Sequence, residues 1–172
     1  EVVEALLPCD EIPKSEQPPK QHYAPNMRLV CYVSEVRGGN KGTQVVISRT
    51  HSGLVKKLFE LEVPEIASGI VEIKAVSREA GSRTKMAVVS KDSEIDAVGA
   101  CIGTKGARVN QIVEELGGEK IDIIRWSDNS AELIENALSP SKVISVEADD
   151  DERSAKVVVP DNQLSLAIGK AG

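Results

Sequence analysis

Apolar positions along this chain change spacing several times, and each change marks a new element. A short apolar start, Val2 to Leu7, reads as one strand, and an irregular loop rich in Pro, Glu, Lys and Gln follows to about Pro25. Two runs rich in β-branched residues, Leu29 to Val36 and Gln44 to Ser48, flank Gly38-Gly39-Asn40-Lys41-Gly42 and predict a hairpin. Leu54, Leu58 and Leu61 then fall at helical spacing, with Val55 and Phe59 beside them, and the helix ends before Pro64. From Gly69 the period drops to two: Val71, Ile73 and Ala75 alternate with Glu72 and Lys74, as in a half-buried strand. The polar stretch Arg78 to Arg83, with Gly81 inside it, reads as a turn into a second strand, Met86 to Ser90. Helical spacing returns after Asp92-Ser93-Glu94. Val98, Cys101 and Ile102 share one face; beyond a glycine-bounded break, Val109, Ile112, Val113 and Leu116 share another. Gly117-Gly118 stops this helix, and Ile121 to Trp126 is the next strand.

The order helix, strand, strand, helix, helix, strand then begins again. Ala131 to Leu138 predicts a helix, Lys142 to Glu147 and Lys156 to Val159 predict strands, and Asp161 or Asn162 can cap a short helix through Ile168. Ile102, Gly103 and Gly106 match Ile168, Gly169 and Gly172 at a constant offset of 66 positions. Such an internal repeat is the strongest organisational signal in the chain.

The repeated loops read Ile102-Gly103-Thr104-Lys105-Gly106-Ala107-Arg108 and Ile168-Gly169-Lys170-Ala171-Gly172. Two glycines three apart permit a tight reversal and let backbone approach a ligand closely. A helix starting at Gly106 would turn its unpaired N–H groups outward, where they stabilise a phosphate. Lys105 adds a mobile charge and Arg108 lies just beyond. Gly103, Thr104, Lys105, Gly106 and Arg108, with Gly169, Lys170, Ala171 and Gly172, are therefore candidate RNA contacts. This is the chemistry of the KH module, whose Gly-x-x-Gly loop clamps about four nucleotides of single strand. Gly99, Gly103 and Gly106 also imitate a dinucleotide-binding set, but those glycines must open a helix directly after a strand, and here a helix precedes them.

Composition adds constraints. Net charge is −6, yet Arg28, Arg37, Lys41, Arg49, Lys56 and Lys57 face only Glu35 between residues 28 and 57. The acid is concentrated between Asp128 and Glu152. Local field rather than net charge steers a polyanion, so Arg28, Arg37, Lys41 and Arg49 around the hairpin are either solvated surface or a second phosphate-binding face. Asp149-Asp150-Asp151-Glu152 reads as a solvated turn between strands, Trp126 as packing near a junction, and Cys101 as core. Cys9, Cys31 and Cys101 are odd in number and widely spaced, and His22 and His51 stand apart. No disulfide framework, metal site or cofactor is expected, and a reducing compartment is the simpler setting. No run approaches the ~20 apolar residues of a membrane span.

The runs Leu54-Val55-Lys56-Lys57-Leu58-Phe59-Glu60-Leu61-Glu62-Val63-Pro64-Glu65-Ile66, Glu119-Lys120-Ile121-Asp122-Ile123-Ile124-Arg125-Trp126 and Val157-Val158-Val159-Pro160-Asp161-Asn162-Gln163-Leu164-Ser165-Leu166-Ala167-Ile168-Gly169-Lys170 resemble the NusA family of bacterial transcription factors, as does the order of segments. The resemblance implies an α+β fold: a partial OB-type β-barrel of the S-one class over 1–49, then tandem KH domains of bacterial (type II) topology over 50–128 and 129–172. On this reading the chain begins at the third barrel strand, lacks the family's polymerase-binding domain, and stops after the second Gly-x-x-Gly loop. Implied partners are single-stranded RNA, RNA polymerase and other transcription factors, during pausing, termination and antitermination in the cytoplasm. The alternative is a KH/OB module of an RNA-processing or RNA-degrading enzyme. Degradative phosphorylases place KH before the OB barrel, the reverse of the order here, and no nucleophile–base pair or metal-ligand set appears. A ribosomal protein with a single KH domain does not fit the tandem repeat.

Overall fold

A computed structural model describes residues 3–39 and 42–170. Lys41, Ala171 and Gly172, three of the candidate RNA contacts, lie outside the described residues, as do Val2 of the first expected strand and Asn40 of the hairpin turn. The initial strand is short: β1 covers Ala5–Leu6. The loop after it contains single helical turns at Cys9–Glu11 and Lys14–Glu16 and the short helix α1, Pro19–His22. The hairpin consists of β2, Tyr32–Gly39, and β3, Gly42–Ser48. Strand β1 adds to it in parallel, pairing Ala5 with Val45, in the order β1-β3-β2. These three strands form an open sheet rather than a closed barrel.

The central unit follows the expected order. It comprises α2 (Ser52–Glu62), α3 (Pro64–Ala67), β4 (Val71–Glu79), β5 (Arg83–Ser90), α4 (Ala97–Ile102), α5 (Ala107–Glu115) and β6 (Lys120–Arg125). Strands β4 and β5 are antiparallel, whereas β6 returns parallel to β5 after the α4–α5 crossover. Leu54, Val55, Leu58 and Phe59 of α2 pack with Ile112 of α5 and Leu116, which ends it, against Val71, Met86 and Val88 of the sheet. Burying each such side chain contributes roughly 1.5–3 kcal/mol, and this layer holds most of the core. Cys101 is fully buried within it, as expected, and burial pushes its thiol up to about 12.

The β4–β5 hairpin departs from expectation in two ways. The turn after β4 is confined to residues 80–82, narrower than Arg78 to Arg83, and Ala75 is exposed rather than inward. A β-bulge between Ile73 and Ala75 shifts the alternation by one residue, so Val76 packs on the core instead. The same shift turns Arg78 inward, where its side chain is 2% exposed and pairs with the fully buried Glu119. Arg78 Nε and Nη2 each donate at 2.9 Å, and Thr84 Oγ1 and the Gly81 N–H also donate to that carboxylate. Burial pushes Glu119 up, but hydrogen bonds from Arg78, Thr84 and Gly81 outweigh it and hold the carboxyl below its ordinary range.

Arg49 requires a correction. Expected among the phosphate contacts, it is a buried joint between the first sheet and the central unit. Its Nη2 donates to Glu16 Oε1 at 2.7 Å and to the Glu115 carbonyl at 2.8 Å, and its Nη1 donates to the Val30 carbonyl at 2.9 Å. Its Nε donates to Glu16 Oε2, leaving no guanidinium nitrogen for a ligand. Tyr23 caps the same carboxylate with its hydroxyl, and burial together with Glu16 pushes that phenol up to about 12.

The second copy consists of α6 (Ser130–Ala137), β7 (Ser145–Asp149), β8 (Ser154–Val158) and α7 (Leu164–Ile168). Its strands lie about two residues from their expected positions. The expected cap by Asp161 or Asn162 is not formed: a helical turn at Asp161–Gln163 leads into α7 without a side-chain cap. The acidic run forms the exposed β7–β8 turn, as expected, with Asp149 accepting from the N–H groups of Asp151 and Glu152.

Candidate nucleic-acid interface

The first glycine loop sits between α4 and α5. Gly103 has φ 74° and ψ 173°, a region essentially closed to residues with a Cβ, and the Cγ of Arg108 lies 2.8 Å from where that Cβ would sit. Lys105 follows at φ 53° and Gly106 at φ 79°, both left-handed, so the chain reverses within one turn before α5 begins at Ala107. The reversal leaves Thr104 and Lys105 exposed at the tip. The N–H groups expected to be free here are partly used within the turn: Gly106 donates to the Gly103 carbonyl at 3.1 Å and Ala107 to the Thr104 carbonyl.

Arg108 acts on this loop differently from a free cation. Its Nη1 donates to the Ala100 carbonyl at 2.6 Å and to Glu65 Oε2 at 3.0 Å, while its stem packs over Gly103. It braces α4 and α3 against the turn. The second loop starts from the same backbone: Gly169 ends α7 at φ 77° and ψ −164°. Lys170 is exposed beyond it.

An open groove of about 560 Å³ runs between α4, β6 and the segment joining α6 to β7. Val98, Ile123, Ile124 and Val143 give it apolar walls, and Arg125 and Lys142 add charge. Arg125 is largely exposed, 3.9 Å from Asp96. The joining segment is tethered to the central sheet, for Lys85 Nζ donates to the Ser139 carbonyl at 3.0 Å and Asn136 Nδ2 to the Arg125 carbonyl at 3.2 Å. Asp122 is held by Arg83 and Lys85; burial pushes its carboxyl up, but hydrogen bonds and charge from these two bring it below the usual range. The sequence reading missed Arg125 and Lys142 because they flank the groove from different elements, with no motif linking them.

The hairpin candidates are dispersed. Arg28 is exposed in the segment before β2, and Arg37 is exposed on β2, paired with Glu35 at 2.6 Å. Neither lines the groove; Arg28 lines a separate hollow with the buried Arg49, among the carboxylates of Glu16, Glu114 and Glu115. Trp126 is half-buried just past β6 and donates its indole N–H to Asp128 at 2.9 Å. Among the described residues no cluster of His, Cys, Asp and Glu could hold a metal ion, and no helix is long and apolar enough to cross a membrane.

Comparison with known proteins gives this geometry a family. A family model described as NusA-like first KH domain matches residues 49–126, and one described as NusA-like second KH domain matches residues 130–172. A transcription termination/antitermination protein NusA from Halalkalibacterium halodurans is 56% identical over 99% of this chain and 43% of its own length. Its namesakes from Bacillus subtilis and Thermus thermophilus are 52% and 48% identical, over 99% and 94% of this chain. The chain spans less than half the length of these relatives, 42–44% of each.

Proposed function

Because the chain belongs to the NusA family, carrying its two KH domains, we propose that it holds nascent single-stranded RNA near RNA polymerase during pausing, termination and antitermination in the bacterial cytoplasm. The observation that carries this reading is the repeated loop: Gly103 and Gly169 share one glycine-only backbone at the same place in two KH matches. We assign three units, 1–49, 50–128 and 129–172, the first an incomplete OB-type domain. Thr104 and Lys105 take phosphates; Gly103 and Gly106 allow the approach, and Arg108 positions the loop. Gly169, Lys170, Ala171 and Gly172 repeat this role, and Arg28, Arg37 and Lys41 are peripheral phosphate contacts. Bases lie in the groove along α4 and β6. No step of this function is catalytic.

Tandem modules suit such a task. Two sites of ~100 μM each, tethered at an effective concentration of ~1 mM, give about 10 μM together. The test is fluorescence anisotropy with short single-stranded RNA at two salt concentrations, for wild type and Thr104→Asp/Lys105→Asp, with a melting curve for each. The expected result is a folded double variant with lost affinity and a flatter salt dependence. Unchanged binding would reduce the loop to a helix–helix corner.

A further inference from the structure

The first glycine loop is steadied by a carboxylate that belongs to neither of its flanking helices. Gly103 turns the chain through a backbone region open only to glycine, and glycine loses more freedom on ordering than any other residue. A loop already ordered when RNA arrives avoids that loss on binding. Within the turn, the Gly103 N–H donates to the Gly99 carbonyl at 2.9 Å and the Gly106 N–H to the Gly103 carbonyl at 3.1 Å. A further restraint is the Arg108 stem, whose Cβ, Cγ and Cδ lie 3.1, 2.8 and 3.1 Å from where a Cβ on Gly103 would sit. An arginine side chain is rich in rotamers, so the stem stays over Gly103 only while its head is held.

Two groups hold the head. Arg108 Nη1 donates at 2.6 Å to the Ala100 carbonyl, one of the last carbonyls of α4, which a helix leaves without an internal partner. The same nitrogen donates at 3.0 Å to Glu65 Oε2. The carbonyl moves with the loop's own helix, whereas Glu65 does not. It stands in the first turn of α3, between the fully buried Val63 and Ile66, which packs on the core. Its backbone is therefore anchored independently of the loop. The two side chains are 30% and 29% exposed, so the pair is partly dehydrated, and its hydrogen bond joins opposite charges. Only Nη1 is engaged; Nε and Nη2 have no partner among the described residues, so the pair does not withdraw the whole guanidinium from a ligand. We infer that Glu65 is a positioning residue for RNA binding: acting through Arg108, it holds the turn from Gly103 to Gly106 in the shape that receives phosphate. The inference rests on the RNA-binding reading above.

The experiment measures anisotropy with a short mixed-sequence single-stranded RNA at two salt concentrations, together with melting curves, in the full chain. Wild type is compared with Glu65→Ala, Glu65→Gln, Arg108→Ala, the Glu65→Ala/Arg108→Ala double variant and Glu60→Ala. Glu60→Ala removes the same charge from a solvated pair with Lys57 and so controls for net charge. Glu65→Ala should shift the melting temperature by less than about 3 °C, since partly exposed pairs contribute little to stability. It should nevertheless weaken RNA binding about fivefold, although it removes a charge that repels RNA, whereas Glu60→Ala should bind as well as wild type or slightly better. Glu65→Gln, which keeps an oxygen acceptor for Arg108, should lose less than about twofold. In the Arg108→Ala background, Glu65→Ala should change nothing further, because the two residues act as one unit. Unchanged binding by Glu65→Ala, or losses that add in the double variant, would overturn the inference while leaving RNA binding intact. Tighter binding with a steeper salt dependence would overturn it too, by showing that Glu65 withholds Arg108 from phosphate. A melting temperature lowered by more than about 10 °C would assign Glu65 to core stability instead. Failure of wild type to bind RNA would overturn the RNA-binding reading and the inference with it.

Discussion

The first and second copies of the repeated unit share a loop and differ in almost everything around it. In the first, α2 and α5 cover the sheet, and residues such as Phe59, Met86 and Ile112 are sealed from water. In the second, α6 is its helix N-terminal to the strands, and Leu164, Leu166 and Ile168 of α7 are each about half exposed. Yet Gly103 and Gly169 have nearly the same φ, 74° and 77°. Loop shape follows from the few residues that make the turn, whereas burial depends on which elements lie opposite. The turn is therefore the more local of the two features.

The largest expected effect sharpens this contrast. Glu119→Ala strands Arg78 in the core of the first copy, and breaking a buried pair of this kind costs about 3–5 kcal/mol. Urea denaturation should register the loss in the first copy; a loss below ~1 kcal/mol would mean that the pair adds little to that core. Next come the glycines. Alanine at either position pays the backbone penalty, about 1–3 kcal/mol. Gly103→Ala should exceed Gly169→Ala because only Gly103 faces the Arg108 stem at 2.8 Å; nothing lies within 4 Å of a Cβ at Gly169. Equal losses would show that the brace gives way freely.

Acid acts on the first copy and on the joint that precedes it. Glu119 and Glu16 both titrate below their ordinary 4.5 in the folded protein, so their contribution is complete above that pH and is lost as pH falls through the depressed folded values. Melting temperature should decline below about pH 4.5, and Glu119→Gln should flatten part of that decline. An equally steep decline in the variant would assign the acid sensitivity elsewhere. The smallest effect is expected for Arg37→Ala, whose partner Glu35 is solvated: the melting curve should not move, in contrast with Arg49→Ala.

Much of the architecture was legible because helices and strands leave periodic traces in Leu54, Leu58 and Leu61 and in Val71 and Ile73. The loop was legible for a different reason, since a backbone region open only to glycine must be written as glycine. What escaped were features fixed by register and by meeting of distant elements. The bulge after Ile73 leaves no mark in the apolar pattern, yet it decides that Ala75 faces out and Arg78 faces in. Arg49 looks like any hairpin cation until Glu16 and Glu115 converge on it. The groove lined by Arg125 and Lys142 likewise joins residues from α4, β6 and the segment after α6.

The Arg49 joint also bears on the order of events as the chain folds. Its partners Val30, Glu16 and Glu115 lie 19, 33 and 66 positions away in sequence. Closing loops of that size loses entropy before the contact returns any energy, so the guanidinium is expected to lock in after α5 has docked. An interaction absent from the transition state acts on the escape rate: Arg49→Ala should hasten unfolding in stopped-flow traces and leave refolding almost unchanged. The joint then serves as a latch on the finished fold, governing how long the first sheet and the central unit stay together.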